Sequence, residues 1–261
     1  MVDDLFSVRG QIVLVSGASR GIGRAIAQAF AERGASVVIT GRVAETLDET
    51  ARQICPPGGT VRPMVCDAAD AKALQKLADD VVAEFGRIDT LVNCAGVNKR
   101  MRVEKYDEAT YDFITNVNIR GAFFLSLAVG RHMIEARSGN QINVDSINSH
   151  RPLRRVAPYA MSKAAMSQMT RSLAMEWGPY GIRVNAVAPG FIATDLAKPL
   201  LNDETINRWR EANTPLKRVG TPEDIAAVSI FLASKAASYV SGHVLYVDGG
   251  TTCGQFWPLD P

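Results

Sequence analysis

Short apolar runs alternate along this chain with longer stretches of helical periodicity. Gln11-Ile12-Val13-Leu14-Val15-Ser16 is nearly continuous in apolar residues, and Ile22, Ile26, Ala29 and Phe30 then recur at i, i+4, i+7 and i+8. The first pattern fits a short strand buried on both faces, the second a helix with one apolar side. The same reading predicts strands at Ile12–Ser16, Ser36–Thr40, Val61–Val65, Thr90–Cys94, Gln141–Asp145, Arg183–Val187 and Val244–Val247. Helical patterns fall between most of them, among them Ile22–Arg33, Ala71–Phe85 and Tyr159–Trp177. Alternating β and α elements predict a parallel seven-stranded sheet covered by helices on both faces, a single doubly wound α/β domain over 1-261. One long interval, 190–219, precedes the last strand and carries Leu196–Leu201 and Ile206–Ala212 as short helix candidates. Excursions beyond a strand's carboxyl end are where α/β enzymes place substrate contacts and lids.

Composition narrows the class. The 261 residues are 47% hydrophobic and 21% charged, with a formal net charge of +2. Such a chain buries a substantial core and gives no global electrostatic case for nucleic acid or a membrane surface. No uninterrupted apolar run is long enough to cross a bilayer, and the acidic start Met1-Val2-Asp3-Asp4 is unlike a signal peptide. Cys55, Cys66, Cys94 and Cys253 form no C-x-x-C pair and no metal-ligand spacing, so reduced thiols, no metal and a cytoplasmic location are expected.

Two local patterns carry chemistry. Gly17-Ala18-Ser19-Arg20-Gly21-Ile22-Gly23 joins the first strand to the first helix, and amides at such a helix start can hold phosphate. Its G-x-x-x-G-x-G spacing departs from the G-x-G-x-x-G dinucleotide fingerprint, and taken alone it could serve only close helix–sheet packing. Tyr159 and Lys163 stand four apart, which puts them on one helix face. A nearby ammonium favours the phenolate, so the tyrosine could exchange a proton at working pH. Taken alone, the pair could equally be a surface contact.

Together these residues, with Ser146 thirteen before Tyr159, resemble the short-chain dehydrogenase/reductase family from about Leu5 to Gly250. Further elements match in order: Cys66-Asp67 after the third strand, Asn93-Cys94-Ala95-Gly96 after the fourth, Asn118, Pro189-Gly190 with Thr194, and Val247-Asp248-Gly249-Gly250. The resemblance implies a Rossmann-type fold and an NAD(P)-dependent oxidoreductase acting on CH–OH or C=O. It implies Tyr159 as acid/base, Lys163 as its partner and a contact of the nicotinamide ribose, Ser146 bonded to the substrate oxygen, and Asn118 fixing a water beside Lys163. It implies cofactor contacts from Gly17, Ser19, Arg20, Gly21, Ile22, Gly23, Arg42, Asp67, Ala68, Asn93, Ala95, Gly96, Tyr159, Lys163, Pro189, Gly190, Ile192 and Thr194. Family members are usually homotetramers, and the tail Gly254-Gln255-Phe256-Trp257-Pro258-Leu259 offers two aromatics for an interface. Two departures stand out: Cys94 replaces a commoner asparagine, and Asp145 occupies a place where a small residue is usual. Strand alternation points Asp145 away from Ser146, toward a structural partner.

Cofactor choice turns on the end of the second strand. An acid there would select NAD(H), whereas this chain has Gly41 followed by Arg42, with Arg20 in the glycine turn. Guanidinium groups bind phosphate in a fork, which favours NADP(H); Glu45 nearby keeps NAD(H) open. For the substrate, Lys99, Arg100, Arg102, His150, Arg151, Arg154, Arg155 and Lys198 gather in segments expected to line the pocket. Phrases around Ala128–Met133 and Gly220–Asp224 resemble gluconate 5-dehydrogenases and related sugar-acid and polyol dehydrogenases. A small anionic or polyhydroxylated substrate is therefore expected, with Arg100, His150, Arg151 and Arg154 as its candidate contacts, unless these side chains face solvent at the rim. Reduction of 3-oxoacyl groups on a carrier protein, reduction of apolar ketones beside Leu153 and Val156, and a non-catalytic cofactor-sensing role remain as alternatives.

Overall fold

In the computed structural model, which describes residues 4–195, 197 and 202–254, seven strands form one sheet in the order β3-β2-β1-β4-β5-β6-β7 with every pair parallel. They are β1 (Ile12–Ser16), β2 (Ser36–Gly41), β3 (Thr60–Val65), β4 (Thr90–Asn93), β5 (Gly139–Val144), β6 (Ile182–Pro189) and β7 (Val244–Val247). The predicted strands are all present. β5 begins two residues early and ends at Val144, so Asp145 lies just beyond it. Leu196–Leu201, Lys198 and the aromatics Phe256 and Trp257 lie outside the described residues, apart from Ala197, which lies in a turn.

The helices are α1 (Gly21–Glu32), α2 (Ala44–Ile54), α3 (Ala71–Phe85), α4 (Glu108–Thr115), α5 (Ala122–Ala136), α6 (Ala157–Trp177), α7 (Glu204–Asn213) and α8 (Pro222–Ala233). Strand alternation sorts them into two layers. Val13 and Val15 face a core with Phe30, Leu47 and Ile225 from α1, α2 and α8. Ile12 and Leu14 face the opposite core, with Leu77, Leu125 and Met166 from α3, α5 and α6. The apolar run of β1 is continuous because each face needs its own side chains. The segment Glu108–Ala136 is long and apolar enough to cross a bilayer by length and composition alone, yet it packs here against α3, α6 and the sheet.

The order of strands reverses between β1 and β4, and the crevice outside their carboxyl ends is the ligand position of such sheets. Between α4 and α5, Asn116–Gly121 forms a π-helical turn. Gly121 is required there, since a Cβ would strike the carbonyl of Ala68. That approach seats the turn after β3 against the helix carrying Asn118.

Candidate active site

The glycine turn is shaped by close backbone approaches. Gly17 has φ +69°, and a Cβ on it would stand 2.6 Å from Ala95 Cα. A Cβ on Gly23 would strike the Gly17 carbonyl, so α1 starts tight against the turn. The Ser16 hydroxyl accepts bonds from the amides of Cys94 (3.1 Å) and Ala95 (3.3 Å), tying β1 to the segment after β4. Gly21, also left-handed at φ +57°, lies opposite Thr194. The Ser19 side chain lies beside Gly41, while the Ser19 carbonyl accepts from Thr50 at 3.0 Å. Ile22 packs on the core and leaves the amides of the first turn of α1 over the crevice.

Arg20 and Arg42 flank this turn, both exposed and neither in an ion pair among the described residues. Gly41 offers no carboxylate beside them. Asp67 is exposed and turns back to accept the amide of Ala69 at 3.0 Å. Asn93 is buried and structural, donating to Ser126 (2.8 Å) and Asn143 (2.9 Å). Gly190 sits against Asp248, and Ile192 pairs with Gly220, which fixes the chain leaving β6. The glycine turn thus presents phosphate-binding amides, a cradle that side chains would fill, and two guanidinium groups without an ion-pair partner among the described residues, a donor set that fits an NADP pyrophosphate and 2′-phosphate.

The polar cluster lies one strand over. Pro158 near the start of α6 suits the first turn, where its missing N–H costs nothing. Lys163, one turn beyond Tyr159, is buried and donates to the Val144 carbonyl at 2.6 Å. Its Nζ lies 5.8 Å from the Tyr159 ring centre and faces Gly96. Tyr159 itself is half-buried. Asn118 is fully buried, and its carboxamide is committed: it accepts from Val97 N (2.8 Å) and donates to Val97 O (2.9 Å) and Ser162 (3.1 Å). Its side chain therefore holds the loop after β4 in place.

Ser146 follows β5 with its hydroxyl accepting from both the amide (3.1 Å) and the Nδ2 (3.2 Å) of Asn148. With two donors already received, its own hydrogen is left to donate outward. Asn148 also accepts from Leu153 N at 2.9 Å, bracing the loop into α6. No periodicity signal marked this residue; only its Asx-type turn chemistry could have. Asp145 follows the end of β5 directly and is bonded by the Ser167 hydroxyl, a structural partner. Burial pushes its carboxyl up from the usual range, against the pull of that bond and of Lys163. Burial also pushes the Cys94 thiol up to about 11, leaving it unreactive.

The basic candidates separate. Arg151 donates to the carbonyls of Thr251 (3.3 Å) and Gly254 (3.0 Å), so it straps down the segment after β7. Arg100 and Arg154 are exposed, and His150 is exposed beside the Tyr246 ring at 5.9 Å. The loops after β4 and β5 meet where the Arg155 main-chain carbonyl accepts from Met101 N (3.0 Å) and Tyr106 Oη (3.2 Å).

A family model described as enoyl-(acyl carrier protein) reductase matches residues 17–252. Gluconate 5-dehydrogenase of Gluconobacter oxydans is 37% identical over 249 residues, covering 95% of this chain and 97% of that protein. D-threitol dehydrogenase of Mycolicibacterium smegmatis is 38% identical over 96% of both chains. The crystal structure of a gluconate 5-dehydrogenase from Burkholderia cenocepacia in complex with NADP and tartrate superposes with a TM-score of 0.93. It is 35% identical, with 96% of this chain and 98% of that one covered.

Proposed function

Since the chain belongs to the short-chain dehydrogenase/reductase family and is an oxidoreductase, we propose that it moves a hydride between NADP(H) and a hydroxyl or carbonyl group of a small sugar acid or polyol. The observation that carries this reading is the approach of Lys163 Nζ and the Asn118 carboxamide at Gly96, next to the Ala95 that meets the glycine turn, with the Tyr159 ring 5.8 Å from Lys163 Nζ and Ser146 two residues past the Val144 carbonyl that Lys163 bonds. NADP is the cofactor bound by the Burkholderia relative, and Arg20 and Arg42 at a site lacking the competing acid support the same choice here.

The dinucleotide, when bound, supplies the redox chemistry. The chain supplies position and proton control. The glycine turn and the start of α1 hold the pyrophosphate, Arg20 and Arg42 the 2′-phosphate, and Asp67 and Ala68 flank the adenine end. Ser146, its lone pairs occupied by Asn148, donates to the substrate oxygen and holds it beside Tyr159. Tyr159 gives its proton to that oxygen in reduction and accepts it in oxidation. Lys163, held near the ring by Val144, stabilises the phenolate left behind. Asn118 holds the loop at Val97 in place beside this pair and fixes the water that links Lys163 to solvent.

In this reading the whole chain is one catalytic domain, and the excursion over 190–219 covers the substrate. A homotetramer fits the exposed aromatics Tyr111, Phe113 and Phe123 on α4 and α5. A cytoplasmic location fits four cysteines that are all free. The reading is tested by following NADPH formation or loss against gluconate, sorbitol, threitol, their keto forms and a 3-oxoacyl thioester. Turnover confined to the thioester would reject the sugar-acid assignment in favour of acyl reduction.

A further inference from the structure

One asparagine bonds both Ser146 and the loop that leads to Tyr159. Asn148 lies half-buried in the single turn Ile147–Ser149, two residues beyond Ser146. Its main-chain N–H and its Nδ2 both donate to Ser146 Oγ, at 3.1 Å and 3.2 Å. Its Oδ1 accepts from Leu153 N at 2.9 Å, in the loop that runs into α6. Only the carboxamide oxygen can take that amide, so the side chain has one orientation, with its nitrogen toward Ser146. The Ser149 hydroxyl donates to the Ser146 carbonyl at 2.7 Å, which leaves the Ser146 hydroxyl to Asn148.

A serine hydroxyl has one hydrogen and two lone pairs. Both lone pairs of Ser146 meet donors on Asn148, and its hydrogen goes to no acceptor among the described residues. We infer that Asn148 is a positioning residue that fixes the polarity of Ser146, making its hydroxyl a donor and requiring the oxygen it meets to accept. This rests on the dehydrogenase reading above and adds a residue that acts on the substrate only through Ser146. The sign of one group decides the outcome. An acceptor in place of Nδ2 would draw the Ser146 hydrogen onto itself, because a hydroxyl bonds a carboxylate more strongly than a neutral oxygen. The substrate oxygen would then face the lone pairs of Ser146 and lose a donor that matters most as charge develops on it. A role confined to bracing the loop predicts the opposite order of variants. A carboxylate there keeps the acceptor for Leu153, whereas alanine removes it.

The test sets Asn148→Asp against Asn148→Ala and repeats Asn148→Asp in the Ser146→Ala background. Turnover of the best substrate from the panel above and the NADPH dissociation constant are measured for each. Asn148→Asp is expected to lower kcat about 10²-fold, the loss typical of one donor to a developing oxyanion. Asn148→Ala keeps the main-chain donor and leaves the hydroxyl free to donate, so kcat should fall less than about tenfold. In the Ser146→Ala background Asn148→Asp should become nearly neutral, since the group it acts through is gone. NADPH affinity should stay near that of the parent throughout. An alanine variant as slow as the aspartate variant would overturn the proposal and leave only the brace. An aspartate effect that persists undiminished without Ser146 would overturn it in favour of the added charge. The aspartate arm serves alone if the alanine variant does not fold. A Ser146→Ala enzyme at near-parental turnover would reject the catalytic reading itself and the proposal with it, a result distinct from either of these.

Discussion

Replacing Gly41 with Asp and Arg42 with Ser together should reverse the cofactor preference without disturbing the fold. Gly41 has no positive φ, and a Cβ there would stand 3.4 Å from Leu47 Cδ1 and 3.5 Å from Ser19 Oγ, ordinary contact distances. Its carbonyl would keep the bond from Cys66 N at 3.0 Å. Arg42 is exposed and in no ion pair among the described residues, so its loss should cost the fold no more than about 0.5 kcal/mol. Losing one charge-assisted contact to the 2′-phosphate removes about 1.5–3 kcal/mol. A carboxylate placed beside that phosphate adds repulsion of roughly 1 kcal/mol after screening. The sum predicts a change in the NADP-to-NAD ratio of kcat/KM on the order of 10²–10³. The assay is steady-state kinetics with both cofactors at one saturating substrate concentration, with a melting curve as control. A parent that prefers NAD, or a ratio that moves less than tenfold in a well-folded variant, would refute the reasoning.

Three other outcomes are expected. Gly17→Ala forces a left-handed residue and a 2.6 Å approach to Ala95, and should cost about 2–4 kcal/mol in urea unfolding while abolishing cofactor binding. Asp224 caps α8 and receives Arg218 at 2.7 Å, which holds its carboxyl down at about 2. A depressed carboxyl stabilises the fold above its unfolded value near 4 and loses that contribution as pH falls through 2. Asp224→Asn should therefore lose roughly 1–2 kcal/mol at neutral pH, allowing for solvent screening, with the gap to the parent closing between pH 4 and 2. Light scattering at micromolar concentration should give a tetramer; a stable monomer would return Tyr111, Phe113 and Phe123 to the solvated surface.

The sheet was legible because parallel strands buried on both faces must be apolar without interruption, as in β1, β2 and β4. Tyr159 and Lys163 were legible because helical spacing alone puts them on one face. Periodicity is silent about what side chains bond to, and there the reading fell short. Asn148 looks like any turn asparagine until its two bonds to Ser146 are seen. Arg151 reads as a free cation, although the carbonyls that hold it lie a hundred residues away. The bonds of the Asn118 carboxamide depend on how a π-helical turn aims it at Val97. Arg210 is buried in α7, although a charged residue in a polar helix is expected to face water.

The account rests on Tyr159 as the group that exchanges the proton, and Tyr159→Phe tests it most directly because the ring and its packing remain. Turnover of the best sugar acid or polyol, measured beside the dissociation constant for NADPH, should fall by about 10²–10⁴-fold while the dissociation constant stays near that of the parent. Near-parental turnover in this variant would contradict the assignment.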